Sequence, residues 1–431
     1  MKRHLKNMMI IVLVLLVGTM TWAAGTQEEG TKQVTLRMGD NIPDRNNPWG
    51  LVIDKINAEF MEQHPNVKIE TESYPDQPYQ EKMKIYAASD QLPDVFKYWS
   101  FSTLLGPLVE SNMIQELDMA HFKQKGFVAG SLEANVYNGK LYGIPVSGDL
   151  WVIYYNQKLL KEMGITMPTT VEELVALSPK IREKGLIPMV TEGSAGWTFG
   201  ITLDTFVGRV DSNFDKIQEA LDRKIKFTDP VHVQSATLLQ NMAKAKMFQE
   251  DLITSDYGAS RNLFGQQKAA MYLMGSWELG LSSDTSFSDD FRNNVRAAKF
   301  PALASGKGSI DNLVAWFGGN YVINAKSENI ELGKAYLDLY SDRFPDLIWE
   351  KKGTFPAQKV QARPDDNDLA KDLLKILGDA KITTGDPPVL DRSTPAFKED
   401  HQKYCKELVA GLISPQEFCE KVDVSAEKAA K

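Results

Sequence analysis

Cysteine is nearly absent: Cys405 and Cys419 are the only two in 431 residues. A disulfide-stapled scaffold is therefore excluded, and the spacing of the pair, with no histidine expected beside them, argues against a metal site. In an oxidising compartment the two could bridge if a helical hairpin brought them together; otherwise they are two buried thiols. Histidine is scattered: besides His4 near the start, it stands at His64, His121, His232 and His401. HExxH, GxSxG and a Walker A loop are all missing, so the commonest hydrolase and nucleotide-binding signatures are not present. Basic charge is in deficit, with Lys plus Arg 49 against Asp plus Glu 57 and a net charge of −8. That argues against nucleic acid and anionic membrane surfaces as partners. No metal and no cofactor are expected.

What is there begins with a leader. Lys2, Arg3 and Lys6 precede the apolar run Met8 to Val17 and the small-residue site Thr21-Trp22-Ala23. The run is shorter than the roughly 20 apolar residues of a spanning helix, so residues 1–24 read as a cleaved secretory signal. No cysteine follows it, so a lipid anchor is not expected and the product should be periplasmic. The remaining length exceeds what one core can fill, which predicts two domains.

The mature part opens with a strand at Val34 to Met38 and the polar loop Gly39 to Pro48, which carries Asn41 and Asp44. Trp49, Val52, Ile53, Ile56 and Phe60 have helical spacing, ended by His64-Pro65. Val67 to Glu70 alternates as a strand, a helix follows from about Tyr79, and Asp94-Val95-Phe96 is a buried strand ending near Trp99. This order implies a mainly parallel sheet covered on both faces, with ligands at the carboxyl ends of its strands.

Asn138-Gly139 predicts a two-residue hairpin, and Gly143 to Pro145 runs extended into the small, polar link Val146 to Asp149. A new strand, Trp151 to Tyr155, starts at once. Asp149 and Trp151 thus sit at a boundary between two α/β units, where ligands commonly lodge. Further on, Thr170 with Glu173 forms a capping box, a glycine-bearing loop presents Trp197, and the strand Ala269 to Met274 delivers Trp277. The chain is expected to cross back after Phe300 and a third time at Lys351 to Ala357. Lobe I is accordingly drawn as 31–146 plus 301–352, and lobe II as 147–300 plus 353–431. Ser414 with Glu417 and Pro415 opens the last helix, and Asp365-Asp366-Asn367-Asp368 reads as acids at a helix N-terminus rather than a calcium loop.

Five motifs in order carry a resemblance to bacterial extracellular solute-binding family 1, the maltose-binding type: PDVFKYW from Pro93, YNGKLYGIP from Tyr137, YYNQKLL from Tyr154, AAMYLMGSW from Ala269 and GGNYVIN from Gly318. The resemblance implies a periplasmic-binding-protein-like α/β fold, two lobes joined by a hinge of three crossings. It places Trp99, Asp149, Trp197 and Trp277 at sugar-contacting positions, with Asn41, Asp44 and Phe355 matching more loosely. Trp316 is added because five of the eight tryptophans lie at strand ends or in loops, whereas Trp49 and Trp349 fit helix faces. Flat rings and carboxylates suit a pyranose, which offers an apolar face and a belt of hydroxyls. The implied function is capture of a mono- or oligosaccharide by a monomer and delivery to the permease subunits of an ABC importer. The rival class is a secreted glycoside hydrolase, which needs two carboxylates converging across a cleft; no such pair stands out.

Overall fold

A computed structural model describes residues 33–430, so the predicted leader lies outside the described residues. The first lobe begins with β1 (Val34–Asp40), α1 (Pro48–Gln63), β2 (Val67–Ser73), α2 (Asp76–Ala88) and β3 (Val95–Trp99). β1 pairs in parallel with both β2 and β3, as the β-α-β order requires. Local chemistry fixes the first helix. Asn47 caps it by accepting from Gly50 N at 2.8 Å, Pro48 occupies its first turn, and Val52, Ile53, Ile56 and Phe60 are buried. The predicted hairpin joins β4 (Val136–Tyr137) to β5 (Lys140–Leu141), with Asn138 at φ 51° and Gly139 at φ 78°. β6 (Ile144–Pro145) then joins the first sheet.

The first crossing has almost no slack. β7 (Gly148–Asn156) begins two residues after Val146 and becomes a central strand of the second sheet. Thereafter come β8 (Ile187–Val190), α3 (Trp197–Val210), α4 (Pro230–Lys244), β9 (Ala269–Gly275) and β10 (Val295–Lys299). The second sheet has the order β10-β7-β9-β8.

The chain does not return to the first lobe after Phe300. β10 pairs antiparallel with β7, from Val295 opposite Asn156 to Lys299 opposite Val152. β11 (Asn312–Leu313) and β12 (Ala315–Phe317) follow, and β12 pairs with the start of β7, Trp316 opposite Asp149. The intervening loop is held by Arg209 from α3, whose guanidinium donates to the carbonyls of Phe300 at 2.8 Å, Pro301 at 2.9 Å, Ser309 at 2.9 Å and Asn312 at 2.5 Å. Burial among carbonyls lowers the Arg209 pKa to about 10. The return crossing is therefore at Gly318, and residues 301–317 pack with the second lobe. From there β13 (Gly319–Ile323) runs antiparallel to β3 and completes the first sheet in the order β2-β1-β3-β13-β6.

The third crossing leaves α5 (Ile330–Glu350) through Lys351. Lys352 has φ 55°, lies 4.9 Å from the Trp349 ring and forms a buried ion pair with Asp366. Asp366 is thus a hinge partner, while Asn367 caps α6 (Asp368–Gly378). The strap is laid on the first crossing: Gly148 N donates to Phe355 O and Ala357 N to Val146 O, each at 3.1 Å. β14 (Ile382–Thr383) pairs with β11, and α7 (Pro395–Val409) and α8 (Pro415–Ala429) close the second lobe against α3 and α4. Cys405 and Cys419 are buried free thiols there. Contrary to expectation a histidine does lie beside one of them, because His401 is one helical turn away with Nδ1 3.5 Å from Cys405 Sγ. Among the described residues no helix is long and apolar enough to cross a membrane.

Candidate functional site

The three crossings join the two lobes, and the predicted site residues lie beside them. The lobes are in contact: Ser102 Oγ donates to Asp391 O at 2.9 Å, Thr103 Oγ1 to Asp391 Oδ1 at 3.1 Å, and Ser283 Oγ to Lys351 O at 2.9 Å. Buried apolar residues of both lobes form one continuous cluster.

Four of the predicted tryptophans converge on the second lobe's side. Trp151 projects from β7, Trp277 follows β9, Trp197 opens α3, and Trp316 is carried by β12. Ring centroids are 6.2 Å apart for Trp151–Trp197 and Trp151–Trp277, and 6.0 Å for Trp197–Trp277 and Trp277–Trp316. Trp151 and Trp316 are buried, whereas Trp197 and Trp277 are half-buried. The inner pair therefore backs the outer pair, which keeps ring surface available for stacking. Gly275 makes this possible, since a methyl group there would lie 2.0 Å from the Trp277 indole.

Asp149 sits at the hinge. Its side chain is buried, and Oδ1 has no hydrogen-bond partner, nor has the indole N–H of Trp151 or Trp316. A methyl group on Gly318 would stand 2.6 Å from Asp149 Oδ2 and 2.7 Å from Trp316 Nε1, so the second crossing packs directly on both groups. Burial raises the Asp149 pKa to about 7, against the opposing pull of Ser147 and Lys97. Glu192, in the loop before Trp197, behaves alike. Burial raises it to about 7, although Ala195 N at 2.6 Å and Ser194 Oγ at 2.9 Å donate to Oε1; Asp76 of the first lobe adds to the rise, and Oε2 is unpartnered.

The first lobe contributes differently. Trp99 is half-buried at the end of β3, its ring 6.3 Å from Tyr79 and 5.9 Å from Tyr98. Asn41 Oδ1 accepts from Lys97 Nζ at 2.8 Å. Asp44 is exposed and its Oδ1 accepts from Asn46 N at 2.9 Å, so it shapes the turn before α1. Trp49, expected on the core face, is only half-buried and has Lys97 Nζ 4.8 Å from its ring centre. Phe355 is buried and stacks on Trp349, centroids 5.4 Å apart at 27°, so it supports the floor from beneath. Sequence reasoning did not single out Lys97, Asp76 or Glu192. Lys97 was legible in principle, since the period of two along β3 puts it on the same face as Trp99.

The sequence pattern described as bacterial extracellular solute-binding protein matches residues 50–342. The "Multiple sugar-binding protein" of Streptococcus mutans is 25% identical over 271 residues, 59% of this chain and 60% of that protein. The match thus spans less than two thirds of that relative's length. The "Galactooligosaccharide-binding protein" of Bacillus subtilis is 24% identical over 320 residues, 71% of this chain and 69% of that one. Among solved structures, one described under xylan utilization by a thermophilic bacterium superposes with a TM-score of 0.83 at 23% identity, covering 91% of this chain and 99% of that one. A "Chitin oligosaccharide binding protein" superposes at 0.79 with 20% identity, covering 92% and 99%. These likenesses support the two-lobed fold assembled above from strand pairing. The chain belongs to the bacterial extracellular solute-binding protein family.

Proposed function

We propose that the protein captures a carbohydrate between its lobes outside the cytoplasmic membrane, leaves it chemically unchanged and delivers it as a monomer to the permease subunits of an ABC importer. One observation carries this reading: four indole rings gather beside Asp149, where a buried carboxylate oxygen and two indole N–H groups have no partner within the protein. Rings supply stacking area for a pyranose face, and the unpaired groups supply an acceptor and donors for its hydroxyls. Ligand contacts from both lobes favour the closed form by their differential affinity. Galactooligosaccharide and chitin-oligosaccharide relatives make a short neutral oligosaccharide the first ligand class to test.

The test is a thermal-shift screen over mono- and oligosaccharides, followed by calorimetry and mass spectrometry of the recovered ligand. A ligand at 100 times its dissociation constant should stabilise by about 2.7 kcal/mol. Absence of any shift across the panel overturns the carbohydrate reading, and cleaved product overturns the claim that the ligand leaves unchanged.

A further inference from the structure

Lys97 occupies the middle of a strand whose other inward positions are apolar, a costly place for an ammonium. Its seat is built. The backbone carbonyl of Lys97 accepts from Tyr79 Oη at 2.7 Å, which fixes the strand. Its stem lies along the second crossing, where a methyl group on Gly319 would be 3.5 Å from Cε. Nζ donates to Asn41 Oδ1 at 2.8 Å and sits 4.8 Å from the centre of the Trp49 ring. An ammonium has three N–H donors, and an amide and a ring face leave donor capacity to spare.

The charged groups that act on Lys97 are all acids: Asp40, Asp76 and Asp149. Asp40 is already paired with Arg45 at 2.8 Å. Asp76 feels Lys398 as well as Lys97, and faces Glu192 across the cleft. Asp149 differs: burial dominates and raises its pKa, and among the described residues the Ser147 hydroxyl and then Lys97 pull it back down. A cation on the first lobe thus biases the carboxylate at the hinge towards its ionised form, against its burial.

We propose that Lys97 is a specificity-determining residue of the cleft, its ammonium donating to an oxygen of a sugar hydroxyl whose own proton is donated to Asp149. This rests on the carbohydrate reading above. A hydroxyl is both acceptor and donor, so it can bridge an ammonium and a carboxylate at once, whereas a deoxy position satisfies neither. The charge of Lys97 has a second effect: it favours the ionised form of Asp149, the state in which the carboxylate accepts, against the burial that raises its pKa to about 7.

The experiment compares wild type with Lys97→Met, which keeps the stem against Gly319 and removes the charge, and with Lys97→Arg, which keeps the charge and alters the seat. In ligand-free protein, the pH dependence of tryptophan fluorescence is recorded, and the step that vanishes in Asp149→Asn is followed. That step should move to higher pH in Lys97→Met and stay near its wild-type position in Lys97→Arg. With a saccharide found by the screen, Lys97→Met should bind about tenfold more weakly or worse at pH 8, and Lys97→Arg should recover part of the loss. A Lys97 that merely fills space would lower the melting temperature and leave the Asp149 step in place, and that result overturns the proposal. Binding within twofold of wild type by Lys97→Met overturns it too, while the carbohydrate reading stands. If no saccharide binds even wild type, the carbohydrate reading fails by itself, and the bridging contact falls with it.

Discussion

The two walls of the cleft are built from different chemistry. The second lobe brings Trp151, Trp197, Trp277 and Trp316, aromatic area backed by further aromatic area, whereas the first lobe brings Lys97, Asn41 and Asp76 beside the half-buried Trp49 and Trp99. Stacking is available to a ligand lying on one open lobe, but charge-assisted hydrogen bonds from the opposite wall form only on closure. Only the second kind differs between open and closed forms, and only a difference can shift that equilibrium. Under the carbohydrate reading proposed above, the contrast would give retention to the second lobe and closure to the first.

The largest test concerns the second lobe's frame. Arg209→Met leaves several buried carbonyls without donors and should cost about 3 kcal/mol or more of stability. Amide exchange should rise in 300–312 and α3 and stay unchanged in α1 and α5; equal loosening of both lobes would break the assignment of 301–317. Next comes Trp277→Ala, which removes a stacking plate and should weaken saccharide binding by about 2 to 3 kcal/mol. In calorimetry the loss should persist in a variant unable to close, or retention does not belong to the second lobe. Asp149→Asn should cost about 1.5 kcal/mol or more of affinity.

The pH dependence sharpens the comparison further. Asp149, Glu192 and Asp204, all in the second lobe, are each raised to about 7, mainly by burial. Their folded values lie above the unfolded ones, so the protonated forms favour folding. The stability they contribute is complete below about pH 4 and is lost as pH rises through about 7. The ligand-free protein should accordingly melt higher at pH 5.5 than at pH 8, and Asp204→Asn should flatten that slope. Ligand affinity should run the other way, rising through pH 7 as Asp149 becomes an acceptor. The smallest effect is expected from Asp44→Ala, within about twofold in affinity, because its carboxylate is committed to the turn at Asn46; a tenfold loss would place the ligand nearer β1 than drawn here.

Local rules made much of this fold readable. The hairpin at Asn138-Gly139, the capping box at Thr170 and the β-α-β order all depend on residues a few positions apart. The return crossing was not readable, because what keeps 301–317 on the second lobe is Arg209, about a hundred positions upstream, and pairing with β7. Within the cleft, tryptophans at strand ends announce themselves by type. Lys97 did not, since a lysine inside an apolar strand invites dismissal as an edge residue until Asn41 and Trp49 are seen to hold it. Phe355 carries no such local signal of its surroundings: its stacking partner Trp349 lies on a neighbouring helix end, and both rings are buried.

Gly318 is a single residue between two paired strands, and Ser147 is nearly so between β6 and β7. Freeing the backbone of one residue releases about 1 to 2 kcal/mol of conformational entropy. A loose tether would thus reward opening with disorder, whereas this hinge frees almost nothing as it turns. Its rest position is accordingly set by enthalpic and solvation differences at the cleft walls, and the lobes should rotate about one narrow axis rather than wander. Lengthening the Gly318 link by two or three glycines would change the protein's statistics before it changed any contact, spreading one angle of opening into many.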